Sequence, residues 1–77
     1  MIRDNYVWRR AIRRAQSGAL NAISALDLLI YEYGQDYVKK MDKKSLAELI
    51  NELYKESGDN VTYSAAEKEV EAWYQTA

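Results

Sequence analysis

Apolar residues recur along the first half of the chain in alternating steps of three and four, the spacing of one face of an α-helix. The pattern starts after Asp4, a candidate N-cap, and continues to Tyr33. Gly34 follows directly, and glycine is favoured just past a helix end. We therefore predict one long helix from about Asp4 to Tyr33. Its buried stripe would consist of Trp8, Ile12, Ala15, Ala19, Ala22, Leu26, Leu29 and Tyr33.

Ser17 and Gly18 form the weak point of this helix, because glycine costs about 1 kcal/mol relative to alanine and Gly/Ser pairs are common kink sites. A straight helix of about 30 residues would be about 45 Å long, whereas a compact chain of this length is about 30 Å across. The helix must therefore bend or break near Gly18, or project and pair with a second copy. A neighbouring stripe of small residues favours such a homodimer. It consists of Ala11, Ala15, Gly18, Ala22 and Ala25.

The second half of the long helix also carries apolar residues on its opposite face, so we expect it to be buried all round. These residues are Leu20, Leu28 and Tyr31. Further along the chain, Ser45 and Ser64 each precede a glutamate by three residues, the capping-box pattern of a helix start. They predict one helix from Leu46 to about Glu56 and another from Ala65 to about Gln75.

Both shorter helices have one apolar face, and the segment between Gly34 and Ser45 is able to form a short extra helix. The apolar faces consist of Leu46, Leu49, Ile50, Leu53 and Tyr54 on one helix, and of Ala66, Val70, Trp73 and Ala77 on the other. The sequence therefore predicts an all-α fold for a single domain of residues 1–77. We expect a small bundle of three or four helices, with a long N-terminal helix packed by two shorter ones.

The chain contains no histidine and no cysteine. It therefore lacks the usual general base, the thiolate nucleophile and most ligands of transition metals. Its carboxylates Glu48, Glu52 and Glu56 repeat at the spacing of a solvated helical face. We expect no enzymatic activity, no cofactor and no metal site. The N-terminus does not resemble a signal peptide. No apolar stretch is close to about 18 residues, the length needed to span a membrane. We therefore expect a cytoplasmic protein without a membrane partner.

Charge is strongly segregated along the chain. All five arginines lie in the first fourteen residues, whereas all six lysines come from Lys39 onward and acidic residues dominate after Ser45. On a helical projection the arginines and Tyr6 lie opposite Trp8 and Ile12, so the core does not need them. We call this candidate binding surface the arginine face. It consists of Arg3, Tyr6, Arg9, Arg10, Arg13 and Arg14.

Three interpretations of the arginine face remain open. It could be a solubilising surface that pairs internally with the acidic C-terminal half, a site for an acidic protein surface, or a site for nucleic-acid phosphates. By elimination we favour a non-enzymatic protein-interaction module, either an inhibitor that occludes a partner's surface or a small adaptor. Small size and segregated charge give it a style similar to the inhibitors of phages and other mobile elements, such as anti-CRISPR and anti-restriction proteins. The alternative is a nucleic-acid-binding protein.

Overall fold

The computed structural model describes residues 5–76, so Arg3, Asp4 and Ala77 lie outside the described residues. Over that range the chain is helical without strands, which confirms the all-α prediction. The elements are α1 (Tyr6–Gln16), a 3-10 turn (Ala19–Asn21), α2 (Ala25–Tyr33), α3 (Gln35–Lys39), α4 (Lys43–Glu56) and α5 (Tyr63–Thr76). These five α-helices exceed the three or four predicted, because the long first helix is divided and the short segment before α4 is helical. None of them is long and apolar enough to cross a membrane.

The long helix does not continue to Tyr33 but breaks at Gly18, which confirms one of the two alternatives stated for it. Gly18 has a φ of 99° and a ψ of 11°, a left-handed conformation that glycine adopts without steric cost. The hydroxyl of Ser24 then accepts the N–H of Asp27 at 3.1 Å and caps α2. The division lets α1 and α2 pack against each other, and such packing supplies most of the stability of helices in proteins. The longest dimension is accordingly 30 Å.

Three helices begin at residues other than the predicted ones. The described N-cap of α1 is Asn5, whose side chain accepts the N–H of Trp8 at 2.9 Å. Asp42 caps α4 by accepting the N–H of Ser45. Likewise, the hydroxyl of Thr62 accepts the N–H of Ala65 at the start of α5. Ser45 and Ser64 therefore lie inside α4 and α5. Asp42 and Thr62 come before them in the chain and cap equally well, so each helix begins earlier than predicted.

Helix α4 lies at the centre of the core and packs against α1, α2 and α5. Its predicted apolar face is confirmed, since Leu46, Leu49, Ile50 and Leu53 are all buried. The small residues of α1 and α2 are also used within the chain. Ala11, Ala15 and Ala25 are completely buried or nearly so. The long helix therefore no longer argues for a homodimer, and three of the five small residues pack within the chain, whereas Ala22 is exposed.

Glu69 of α5 lies against the start of α2 and is partly buried. Its Oε1 atom has no hydrogen-bond partner in the described part of the chain. Desolvation raises the pKa of Glu69 above the ordinary 4.5, and the nearby polar groups of Leu26 and Ser24 counteract this only in part. Because the folded state favours the protonated carboxyl, the ionised form costs stability at neutral pH.

We expect Glu69→Gln to raise the melting temperature at neutral pH by a modest amount, because the amide has no charge to desolvate. The gain should shrink as the pH falls, and should vanish below the ordinary glutamate pKa of 4.5, where Glu69 is protonated in both states. Melting curves of both proteins across this pH range measure the difference. Glu67→Gln, at an exposed position of the same helix, is the matched control. A gain that did not depend on pH would contradict the prediction.

Candidate functional site: an arginine and tyrosine surface

The outer side of α1 presents the predicted binding residues because its inner side is committed to the core. Trp8, Ala11 and Ala15 are buried, whereas the arginines of α1 and Tyr6 are exposed. Tyr6 and three of these arginines line a shallow surface pocket of about 180 Å³; the arginines are Arg9, Arg10 and Arg13. Arg14 lies one turn further along α1. The described members of the arginine face are therefore close together, as predicted.

A single glutamate of α2, Glu32, binds two of the arginines. Arg10 donates from Nε and Nη2 to Glu32 Oε1 at 3.1 and 2.9 Å, and Arg14 donates from Nε to Oε2 at 2.5 Å. The Glu32 side chain is only 2% exposed, whereas those of Arg10 and Arg14 are 46% and 49% exposed. Hydrogen bonding to Glu32, followed by its charge, raises the pKa of Arg10. One buried carboxylate thus fixes two guanidinium groups at the surface.

Two exposed tyrosines extend this pair of contacts outward. The Arg10 guanidinium lies over the ring of Tyr6 at 5.3 Å from its centroid, and that of Arg14 lies over the ring of Tyr31 at 5.1 Å. Both tyrosines are about 70% exposed, so the second half of the predicted long helix is not buried all round. We call this arrangement the clamp row. It consists, in spatial order, of Tyr6, Arg10, Glu32, Arg14 and Tyr31.

Arg9 and Arg13 lie beside the clamp row and are exposed. Across residues 5–76 the structure records no ion pair for either of them. Their charges therefore remain available, in contrast to those of Arg10 and Arg14. The surface combines two guanidinium groups without an ion pair in residues 5–76, two guanidinium groups held by a buried acid and two tyrosine rings.

No protein family, curated protein or solved structure matches the chain. The arginine face must therefore be interpreted from its own chemistry. Among the described residues, no group of three or more acidic side chains is arranged to hold a metal ion. The arginine face provides positive charge, hydrogen-bond donors and aromatic rings, which are groups that bind a partner.

Sequence reasoning missed Glu32 and the role of Tyr31. The internal acid that pairs with the arginines belongs to α2, and not to the C-terminal half as one of the three interpretations supposed. The sequence nevertheless contained a signal that Glu32 pairs with a cationic residue. Glu32 is an acidic residue within a segment expected to be buried all round, and a buried carboxylate needs a cationic or hydrogen-bonding partner. The arginines of α1 supply that partner.

Proposed function

We propose that the chain is a non-enzymatic protein-interaction module whose arginine face, extended by Tyr31, binds an acidic surface of another protein. It would act as a small inhibitor that occludes this surface, or as an adaptor, in the style of proteins encoded by phages and other mobile elements. The observation that carries the proposal is the clamp row. Arginine and tyrosine are among the residues most enriched at the energetic centres of protein interfaces.

The fixed geometry of the clamp row supports binding to a protein. Free arginine side chains lose rotamer freedom when they bind, which costs about 0.5–1.5 kcal/mol for each immobilised side chain. Arg10 and Arg14 are already held by Glu32 and by the rings of Tyr6 and Tyr31. They therefore lose less freedom on binding. Arg9 and Arg13 add unpaired charge at the edge, which accelerates association with an acidic surface.

Binding to nucleic acid is the second candidate, and two observations favour it. Arg9 and Arg13 are free to neutralise phosphates, and the exposed rings of Tyr6 and Tyr31 are able to stack on bases. Against it, Glu32 already compensates charge on Arg10 and Arg14. Because affinity for nucleic acid depends mainly on uncompensated positive charge, we place this function second.

The test is charge reversal at Arg9 and Arg13 in quantitative capture of partners from the native host. Reversal at Arg10 and Arg14 is unsuitable, because it would place acids beside the buried carboxylate of Glu32. Lys55→Glu/Lys68→Glu is the matched control. It changes the net charge equally, and Lys55 lies in the last turn of α4 as Arg13 does in that of α1.

We expect Arg9→Glu/Arg13→Glu to remain folded and to weaken partner binding at least about tenfold, because edge charges set the association rate. The control variant should bind like the wild type. Recovery of the same protein after nuclease treatment supports a protein partner, whereas loss of all binding after nuclease favours the nucleic-acid alternative. Unchanged binding by the folded Arg9→Glu/Arg13→Glu variant would place the functional surface elsewhere.

A further inference from the structure

The position of Glu32 beneath the clamp row has a consequence for which ligands the arginine face accepts. We infer that Glu32 is a specificity-determining residue that withdraws Arg10 and Arg14 from phosphate groups and so disfavours nucleic acid. The inference rests on the proposed function, since it explains how an arginine-rich surface is reserved for a protein partner. It adds a residue of α2 to a surface that the sequence assigned to α1 alone.

Glu32 lowers the net positive charge that Arg10 and Arg14 present. Affinity for nucleic acid grows with the number of cationic groups that replace condensed counterions, and it does so for any base sequence. Both oxygens of Glu32 are engaged by guanidinium groups at hydrogen-bonding distance. A phosphate that approaches Arg10 or Arg14 therefore meets two guanidinium groups that share one carboxylate, so half of their charge is already compensated. Of the arginines that the structure describes, Arg9 and Arg13 keep their full effect.

The charge compensation of Arg10 and Arg14 is hard to reverse, because Glu32 is buried. The exposed pair of Lys43 and Glu71 illustrates the contrast. Its atoms are 3.1 Å apart, and both side chains are more than half exposed, so water and salt readily replace the contact. Glu32 has little access to water, and leaving its charge buried and unpaired would be costly. A phosphate thus cannot displace it from the arginines without that cost.

A protein ligand is still able to form hydrogen bonds with Arg10 and Arg14. A guanidinium carries five N–H donors, and the recorded hydrogen bonds to Glu32 use two of them on Arg10 and one on Arg14. The other donors stay available to carbonyl and carboxylate groups of a protein. Such contacts depend on direction and shape as well as on net charge, so the compensation by Glu32 weakens them less than it weakens counterion release.

The test measures binding of a fluorescent single-stranded DNA of about 20 nucleotides by anisotropy, in salt from about 50 to 200 mM. Glu32→Gln removes the charge but keeps a hydrogen-bond acceptor of the same size. Glu56→Gln is the matched control, because it changes the net charge equally at an exposed residue that is hydrogen-bonded to Gln16. Circular dichroism shows whether each variant is folded.

We expect Glu32→Gln to bind the DNA at least about tenfold more tightly than the wild type at low salt. Its log–log dependence on salt should be steeper by about 0.7, the value for one further phosphate neutralised. Glu56→Gln should change the affinity by less. Equal affinities of Glu32→Gln and Glu56→Gln would overturn the inference.

A comparison of two arginine variants tests the role of Glu32 even if Glu32→Gln does not fold. Arg9→Gln should weaken binding of the same DNA more than Arg10→Gln, because Arg10 directs part of its charge to Glu32, whereas Arg9 has no ion pair among the described residues. Arg14 stays on Glu32 in both variants. Equal losses in the two variants would overturn the inference. Strong binding of DNA by the wild type would instead argue against the proposed function, while the difference between variants would still test Glu32.

Discussion

Replacement of Leu49 by alanine is expected to lower the free energy of unfolding by about 2–5 kcal/mol, because it removes buried methyl groups and leaves a cavity. Leu49 is 2% exposed and lies on the core face of α4. Small domains are stable by only about 5–15 kcal/mol, so a substantial fraction of the variant should be unfolded at moderate temperature. Chemical denaturation followed by circular dichroism measures the change.

Leu26→Ala, in α2, should have an effect of similar size, since Leu26 is 5% exposed in the same core. Ile23→Ala is the control. Ile23 is 40% exposed in the connection before α2, and an exposed substitution of this kind changes stability by about 0.5 kcal/mol or less. If Leu49→Ala melted like Ile23→Ala, the assignment of α4 to the core would be wrong.

The second large effect is expected at Gly34, which connects α2 to α3. Its φ is 93° and its ψ is 146°, in a region that is essentially restricted to glycine. Gly34→Ala should therefore cost about 1–3 kcal/mol. The cost would come from the backbone alone, because a Cβ atom at this position meets no atom within 4 Å. Thermal and chemical denaturation are again suitable measurements.

A D-alanine at position 34, introduced by chemical synthesis, separates backbone strain from side-chain effects. D-residues favour positive φ, but a ψ of 146° lies outside their preferred regions, so the synthetic protein should recover only part of the stability that L-alanine loses. Both substitutions add the same methyl group to the same open space. Equal destabilisation by the two enantiomers would show that the conformation of Gly34 is not the cause.

The periodicity of apolar residues was sufficient to predict helices and most of their buried faces, because burial of one face constrains every third or fourth position. The helix ends were less predictable. Asp42 and Ser45 are both good N-caps, as are Thr62 and the serine two residues later, and local sequence does not decide between them. At Gly18 the sequence allowed a kink, a break or a projecting helix, and only packing of α1 against α2 decides for the break.

The candidate site was also only partly predictable from the local sequence. The helical projection correctly placed Tyr6 and the described arginines on one side of α1, since this depends only on spacing along one element. Glu32 and Tyr31 belong to a different element, and their contacts with Arg10 and Arg14 depend on how α2 packs beside α1. Glu32 lies 18 and 22 residues from the arginines that it binds. No rule of local spacing connects residues so far apart.

The central position of α4 implies that the domain unfolds cooperatively as a single unit. Helices α1, α2 and α5 each pack on α4, so loss of α4 would expose the apolar side of every one of them. No pair of helices without α4 would retain a substantial core. Partly folded forms are therefore expected to be sparsely populated, and the surface made by α1 and α2 should persist or disappear together with the whole domain.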